Sequence, residues 1–265
     1  ATTILDCYTD EPAGLGVPPY LGVYPRYIAG FLGDCYYLTI DDVRLWKRYN
    51  CVVPKTKESQ KTNIKIYNLT KNYQDVEKIL NKTDELIVIL GVHTPGKYLS
   101  AIPGTLKEVS ELIKELKCKK ILTGPAFFGT QLFGGKFAER IPDIFDEKKS
   151  FDFSYKDIAE YAVKGVSIIK QIDDLRIIEI ETGHGCGRAI HCSFCTEPIK
   201  HCLEFREAKD ILKEIEEFYK LGCMYFRLGK QSCFYSYPEA EKLLKAIRDN
   251  FPGIKVLHID NVNPV

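Results

Sequence analysis

The chain has 265 residues, 45% of them hydrophobic, and its 37 basic residues nearly balance 36 acidic ones, giving a formal net charge of +1. This length can bury one large core or two modest ones, and the charge balance gives no support for general attraction to nucleic acid or membranes. The first residues, ATTILDCYTD, lack the features of a signal peptide, and apolar runs such as LIVILGV (86–92) are too short to span a bilayer. We therefore expect a cytoplasmic protein whose ten cysteines stay reduced.

Strand-like and helix-like segments alternate along the first part of the chain, which predicts α/β architecture. The strand candidates are 2–8, 35–40, 63–69, 85–92 and 119–127. The helix candidates are 20–32, 41–49 with Asp41 as a potential N-cap, 104–117 and 154–172. The candidate at 104–117 is amphipathic, because its apolar residues recur at helical spacing.

Three Gly/Pro-rich loops, at 9–22, 91–104 and 123–136, follow strand candidates. Such loops let a ligand approach the backbone closely. At the carboxyl ends of parallel strands they would line the usual ligand crevice of an open α/β sheet. The glycines and prolines could equally serve only to form turns. The sequence therefore leaves both interpretations open, ligand binding and simple turns.

The polar stretch at 171–176 is the predicted boundary between a domain at 1–172 and a domain at 173–265. The second domain reads as strand, loop, helix, strand, helix and strand, which is typical of a parallel sheet with right-handed crossovers. Its elements are predicted at 176–182, 204–222, 223–229, 237–253 and 255–259. Because three strands would leave an exposed edge, we expect the natural chain to continue past Val265 or a partner to cover that edge.

The loop GHGCGRAIHCSFCTEP (183–198) carries Cys186, Cys192 and Cys195 in a Cys-x5-Cys-x2-Cys arrangement, directly after the strand at 176–182. Three thiolates can hold three irons of a four-iron cluster and leave the fourth iron open for chemistry. A zinc site is the main alternative, and a disulfide with a spare thiol or incidental thiols are the others. The zinc site would draw its remaining ligand from nearby residues, namely Cys202, His184, His191 or His201.

The segment CGRAIHCSFC resembles the cluster loop of the radical S-adenosylmethionine (SAM) superfamily, although the common form has three residues between the first two cysteines rather than five. Phe194 fits the aromatic residue usual before the third cysteine. The resemblance implies that Cys186, Cys192 and Cys195 hold a [4Fe-4S] cluster whose open iron is chelated by SAM. One electron, supplied by a donor such as a ferredoxin or flavodoxin, would cleave SAM to methionine and a 5′-deoxyadenosyl radical under anaerobic conditions.

The same resemblance makes 225–237 the second barrel strand and its loop, where family members bind the amino group of SAM. The Gly-Gly-Glu-Pro-like run of the family is absent, and Gly229, Lys230 and Gln231 occupy its place. We predict cofactor contacts at Phe194, Gly229 and Gln231, and we assign no catalytic residue. Polar residues at strand ends could face the active site or merely satisfy local hydrogen bonds, and these are Glu181, Thr182, Arg227, His258 and Asp260.

A doubly wound, Rossmann-like domain followed by the start of a parallel (β/α) radical-SAM-type partial barrel is similar to the arrangement of cobalamin-binding radical SAM proteins. The chain is similar to uncharacterised archaeal proteins that combine a B12-binding domain with a radical SAM domain. The Asp-x-His-x-x-Gly signature of some cobalamin proteins is missing, and His93 lies in another context, GVHTPG. Cobalamin-dependent methyl transfer is therefore one hypothesis, and an N-terminal domain that binds substrate or a partner is another. A zinc-stabilised, non-catalytic binding module is a third.

Overall fold

The computed structural model describes residues 1–8, 20–54, 67–91, 102–128, 140–173, 175–192, 202–260 and 262. The described strands are β1 (Thr2–Asp6), β2 (Tyr20–Leu21), β3 (Tyr36–Thr39), β4 (Glu85–Ile89), β5 (Lys119–Thr123), β6 (Glu147–Lys148), β7 (Ile177–Glu181), β8 (Gly183–His184), β9 (Glu204–Phe205), β10 (Tyr225–Gly229) and β11 (Val256–Ile259). The described α-helices are α1 (Val23–Leu32), α2 (Ile40–Tyr49), α3 (Val76–Asn81), α4 (Leu106–Ile113), α5 (Tyr155–Lys164), α6 (Ala208–Lys220) and α7 (Ala240–Asn250). Short 3-10 helices cover Pro125–Phe128, Gly165–Gln171 and Phe234–Ser236.

A five-stranded parallel sheet lies in the N-terminal part of the chain, in the order β3-β1-β4-β5-β6. Counted in chain order within this sheet, the strands follow the pattern 2-1-3-4-5 of doubly wound folds. Side chains that alternate along each strand point to opposite faces, so Leu5 and Val88 pack with α2, α3 and α4. Ile4 and Ile87 pack on the other face, with α1 and the 3-10 helix at 165–171. Both faces are therefore covered by helices, as the doubly wound prediction requires.

A second parallel sheet has the order β11-β10-β7-β2. Ile178 and Ile180 of β7 and Phe226 and Leu228 of β10 pack against α6 and α7. The α/β fold class is therefore confirmed, with a doubly wound sheet followed by the strands of a parallel (β/α) partial barrel. Among the described residues, no helix has the length and apolar character needed to cross a membrane.

Three of the local differences between the structure and the sequence predictions concern predicted helices. The segment predicted as helix at 20–32 begins with β2, which joins the second sheet by pairing with Ile177 and Ile178. Helix α2 is capped by Thr39 in a capping box with Asp42, so the prediction of Asp41 as N-cap is wrong. The predicted helix at 154–172 changes to a 3-10 helix from Gly165 onward, and a Cβ at that glycine would lie 2.0 Å from the Arg26 carbonyl oxygen.

Two further predictions fall partly or wholly beyond what the structure describes. The strand candidate at 63–69 lies mostly outside the described residues, and 67–69 do not form a strand. The domain boundary at 172/173 stays a prediction. The second sheet contains residues from both sides of it, because β2 pairs with β7.

Candidate functional site

A short hairpin closes the base of the cysteine loop. Strand β7 ends at Glu181, and β8 follows almost at once and pairs antiparallel with β9. Gly183 lies opposite Phe205, and a side chain at Gly183 would collide with that ring, its Cβ lying 2.7 Å from Phe205 Cδ1. The loop therefore leaves and returns through one narrow neck at the carboxyl end of β7, which is where α/β sheets place their chemistry.

Two of the three predicted cluster ligands lie in the described part of this loop. Cys186 and Cys192 are free thiols, both partly exposed, and the Arg188 guanidinium lies 3.9 Å from the Cys192 sulfur. Cys195 and Phe194 lie outside the described residues. Within the described ranges, no three His, Cys, Asp or Glu side chains come together as a metal site. Free thiols on one loop fit an iron–sulfur cluster in chemical type, and ligation by three cysteines stays a prediction.

Arg206 links the two chain segments that form the neck, which are residues 181–184 and 203–206. Its backbone N–H donates to the Thr182 carbonyl at 3.0 Å, and its guanidinium donates to the Glu181 carbonyl at 2.9 Å. The same guanidinium donates to Glu214 Oε2 of α6 at 2.6 Å, and Arg206 is 2% exposed. The neck is therefore fixed to the helical layer beneath it by a buried, charge-assisted hydrogen bond.

Arg26 reaches the same carboxylate from helix α1 of the N-terminal part. Its Nε donates to Glu214 Oε1 at 3.0 Å, and its Nη2 donates to the Glu179 carbonyl at 2.7 Å. The side chains of Arg26 and Glu214 are both fully buried. Burial tends to raise the pKa of Glu214, but Arg26 and Arg206 outweigh it and hold that pKa below its usual range. Glu214 is therefore a carboxylate shared by two arginines that come from different parts of the chain.

The face of the second sheet that points away from α6 and α7 is charged. Glu179 of β7, Arg227 of β10 and His258 of β11 are neighbours in register across three strands. Arg227 pairs with Asp260 and lies 3.7 Å from Glu179, whose other oxygen lies 3.8 Å from Lys230 Nζ. This face carries charges of both signs beside the exit of the cysteine loop.

Gly229 and Gln231, predicted as cofactor contacts, lie where the end of β10 meets the start of the hairpin. The Thr182 N–H donates to the Gly229 carbonyl at 3.0 Å, and the Thr182 hydroxyl donates to Gln231 Oε1 at 2.8 Å. Gln231 is fully buried, and a side chain at Gly229 would place its Cβ 2.9 Å from Asp260 Cβ. Both residues therefore shape the strand end next to the loop, and their contact with a cofactor stays a prediction.

His184 lies in a stacked and acidic environment. The Tyr155 ring stacks on it with centroids 4.5 Å apart and planes at 25°. Its Nδ1 is 3.6 Å from Glu181 Oε1 and its Nε2 is 3.4 Å from Glu204 Oε2. Burial, with the nearby Glu181 carboxylate adding to it, raises the pKa of Tyr155, so this tyrosine stays protonated.

Buried polar residues also occupy the carboxyl edge of the five-stranded sheet. Asp6 accepts hydrogen bonds from the Tyr8 N–H at 2.9 Å and from the Tyr37 hydroxyl at 2.8 Å. The Tyr8 hydroxyl donates to Asp41 Oδ2 at 2.9 Å. Most residues of the three Gly/Pro-rich loops, together with His93, lie outside the described residues. The ligand crevice expected at this edge therefore stays a prediction.

Sequence reasoning missed the Arg26–Glu214–Arg206 cluster. One signal could have found Glu214, because it is three residues after Ile211 and four before Phe218, on the buried stripe of α6. A charged residue on such a stripe needs a buried partner. No local pattern marks Arg26, which lies 188 residues away from Glu214 along the chain.

Comparison with known proteins shows where this fold occurs. No family model matches the chain. A protein of Methanocaldococcus jannaschii named as uncharacterised is 39% identical, and the match covers 98% of this chain and 52% of that protein. An uncharacterised protein of Archaeoglobus fulgidus is 35% identical, with coverage of 98% and 48%. The chain thus spans about half the length of the curated relatives it matches.

A solved structure shares the fold. The chain is similar to the radical SAM methyltransferase TsrM from Kitasatospora setae, whose structure holds a tryptophan substrate and a SAM analogue. The TM-score is 0.52 at 14% sequence identity, over 96% of this chain and 52% of the other. The likeness establishes a fold in common with a radical SAM protein. At this identity it carries no residue roles from one chain to the other.

Proposed function

We propose that the chain belongs to a radical SAM enzyme in which Cys186, Cys192 and Cys195 hold a [4Fe-4S] cluster. The observation that carries this proposal is the Cys-x5-Cys-x2-Cys loop at the carboxyl end of β7, within a fold shared with a radical SAM protein. When bound, the cluster supplies the electron that cleaves SAM reductively. The residues of the chain position the loop, bind SAM and exclude water.

The charged face of the second sheet supports this proposal. The methionine part of SAM carries an ammonium group and a carboxylate. Arg227 and Lys230 offer donors suited to the carboxylate, and Glu179 and Asp260 offer acceptors suited to the ammonium group. Lys230 directly follows β10 and is between Gly229 and Gln231 in the sequence, and Asp260 directly follows β11, so both lie at the carboxyl edge of the sheet from which the cysteine loop leaves.

The test is spectroscopic. The protein is purified without oxygen, reconstituted with iron and sulfide, reduced with dithionite or with a ferredoxin or flavodoxin, and examined by EPR with and without SAM. We expect a four-iron signal that shifts on adding SAM, and release of 5′-deoxyadenosine. The signal should be lost in Cys186→Ala, Cys192→Ala and Cys195→Ala variants but kept in Cys51→Ala, whose thiol lies after α2. A colourless protein with one tightly bound zinc would instead support the binding-module hypothesis.

Methyl transfer with cobalamin extends the proposal to the N-terminal part. The doubly wound sheet in the order 2-1-3-4-5 supports a ligand at its carboxyl edge. Visible absorbance of the protein after incubation with hydroxocobalamin and gel filtration tests this extension. Co-elution of one corrinoid supports it. SAM cleavage without corrinoid binding would assign the N-terminal part to substrate or partner recognition.

A further inference from the structure

A fourth cysteine lies across the neck from the first cluster ligand. In the β8–β9 hairpin His184 is opposite Glu204, and two residues further along the two legs are Cys186 and Cys202. The two segments that continue from β8 and β9 into the cysteine loop stay close to each other beyond the last paired residues. A Cβ at Gly185 would lie 2.3 Å from the Cys202 carbonyl oxygen and 2.6 Å from the Leu203 nitrogen.

The residue after Cys186 is also in contact with the opposite leg. A Cβ at Gly187 would lie 3.0 Å from Leu203 Cδ2. Cys186 thus lies between Gly185, which is next to the backbone of Cys202 and Leu203, and Gly187, which is next to the Leu203 side chain. The paired residues end at His184 and Glu204, and extending their register past Gly185, whose φ is +82°, places Cys186 opposite Cys202. Opposed residues of antiparallel strands have Cα atoms about 4.5–5.5 Å apart, within the range of about 4.4–6.8 Å that a disulfide requires.

We propose that Cys186 and Cys202 form a reversible disulfide when no cluster is bound. Both thiols are free, Cys202 is exposed and Cys186 is partly exposed, so a small reagent can reach the pair. The oxidant is a low-molecular-weight disulfide, RSSR. The Cys202 thiolate attacks one sulfur of RSSR and releases RS⁻, and the Cys186 thiolate then displaces the second RS⁻. Two protein thiols are oxidised to one disulfide, RSSR is reduced to two RSH, and a dithiol reverses the exchange.

The consequence for the cluster rests on the proposed function, whereas the disulfide itself does not. A Cys186 sulfur bonded to Cys202 is not a thiolate, so it cannot ligate iron. The oxidised chain therefore cannot assemble the cluster, and reduction of this one bond restores the ligand. Cys202 thus acts as a protecting group for Cys186 during periods without iron.

Trypsin separates the relevant cysteines, which makes the disulfide directly measurable. Cleavage after Arg176, Arg188, Lys200 and Arg206 yields peptides 177–188 with Cys186, 189–200 with Cys192 and Cys195, and 201–206 with Cys202. Iron-free protein is incubated with cystamine, its remaining thiols are blocked with N-ethylmaleimide, and the digest is analysed by mass spectrometry. We expect peptide 177–188 linked to peptide 201–206, with loss of the species on reduction.

Two variants serve as controls. Cys202→Ser should lose the linked species, and Cys233→Ser, which changes a partly exposed thiol elsewhere, should keep it. The proposal is overturned if peptide 201–206 carries N-ethylmaleimide, or if it is linked to peptide 189–200.

Measuring iron uptake distinguishes the disulfide proposal from the proposed function in cluster binding. After reconstitution, oxidised wild-type protein should lose most of the iron binding of the reduced protein, and treatment with a dithiol before reconstitution should restore it. A disulfide without iron uptake in any redox state would contradict the proposed function alone. Cluster assembly without the linked peptides would contradict the disulfide alone.

Discussion

Asp42 is a fully buried carboxylate in the N-terminal part of the chain. It accepts hydrogen bonds from the Thr39 N–H at 2.8 Å and from the Thr70 N–H and hydroxyl, each at 2.9 Å. Burial raises the pKa of Asp42 to about 7, although these hydrogen bonds act to lower it. Asp42 thus completes the capping box of helix α2 and holds Thr70 next to that helix.

This raised pKa predicts how stability changes with pH. Because the folded-state pKa lies above the reference value of 3.8, the contribution of Asp42 is full below pH 3.8 and is lost as the pH rises through about 7. Relative to Asp42→Asn, the free energy of unfolding of the wild type should fall by about 1 kcal/mol per pH unit between pH 5 and 7. Urea unfolding at several pH values measures this slope. For the control Asp249→Asn, an exposed change in α7, the free energy of unfolding should depend on pH in the same way as that of the wild type. If the free energy of unfolding of Asp42→Asn also follows the wild-type pH dependence, the prediction is contradicted.

Among the secondary-structure elements, the predictions from sequence were most accurate where the local residue pattern and the tertiary packing favour the same structure. The amphipathic pattern predicted a helix at 104–117, and the structure has α4 at 106–113 with Thr105 as its N-cap. Strand β2 could not be predicted, because its two residues become a strand only by pairing with Ile177 and Ile178. The cysteine loop was visible from its spacing, whereas Arg26 and Arg206 are brought together only by the fold.

Helices α1 and α5 pack backbone to backbone. A Cβ at Gly30 would lie 2.0 Å from the Tyr161 carbonyl oxygen, so no side chain fits without moving a helix. We expect Gly30→Ala to destabilise the protein by about 3 kcal/mol or more, as overpacking against backbone does. Gly33→Ala is the matched control, because nothing lies within 4 Å of its Cβ position and only its φ of +79° is unfavourable. It should cost about 1–3 kcal/mol, because an alanine at φ +79° and ψ −109° is strained. Thermal unfolding of both variants measures these losses of stability. If the two variants lose the same stability, helices α1 and α5 can move apart at little cost, and the prediction is contradicted.

At the scale of the whole molecule, Glu214 of α6 connects the C-terminal part to Arg26 of the N-terminal part, and Arg206 shares the same carboxylate. Glu214→Gln leaves two buried arginines without a carboxylate, so we expect a loss of about 3–5 kcal/mol. Trp46, the single tryptophan, packs against the core of the five-stranded sheet and reports on that part by fluorescence, whereas far-UV circular dichroism reports on both sheets. In urea, the two signals should coincide for the wild type. In the variant, the share of the dichroism that comes from the second sheet should be lost at lower urea than the fluorescence.

The control for this experiment is on the same helix. Glu217→Gln removes a partly exposed carboxylate that pairs with Lys220 at 2.9 Å, and it should cost less than about 1 kcal/mol. If Glu214→Gln unfolds at the same urea concentration as Glu217→Gln, the buried cluster does not hold the two sheets together.

The pairing of β2 with β7 also determines what happens if the chain is divided. A fragment that begins after residue 172 keeps β7, β10 and β11 but lacks β2, so one side of β7 becomes an open edge. Open parallel edges recruit other strands, and such a fragment is prone to self-association. The N-terminal fragment carries Tyr20 and Leu21, together with Arg26 for the buried carboxylate. The two pieces therefore have the matching parts of a split protein, in which donation of β2 would complete the sheet that supports the cysteine loop.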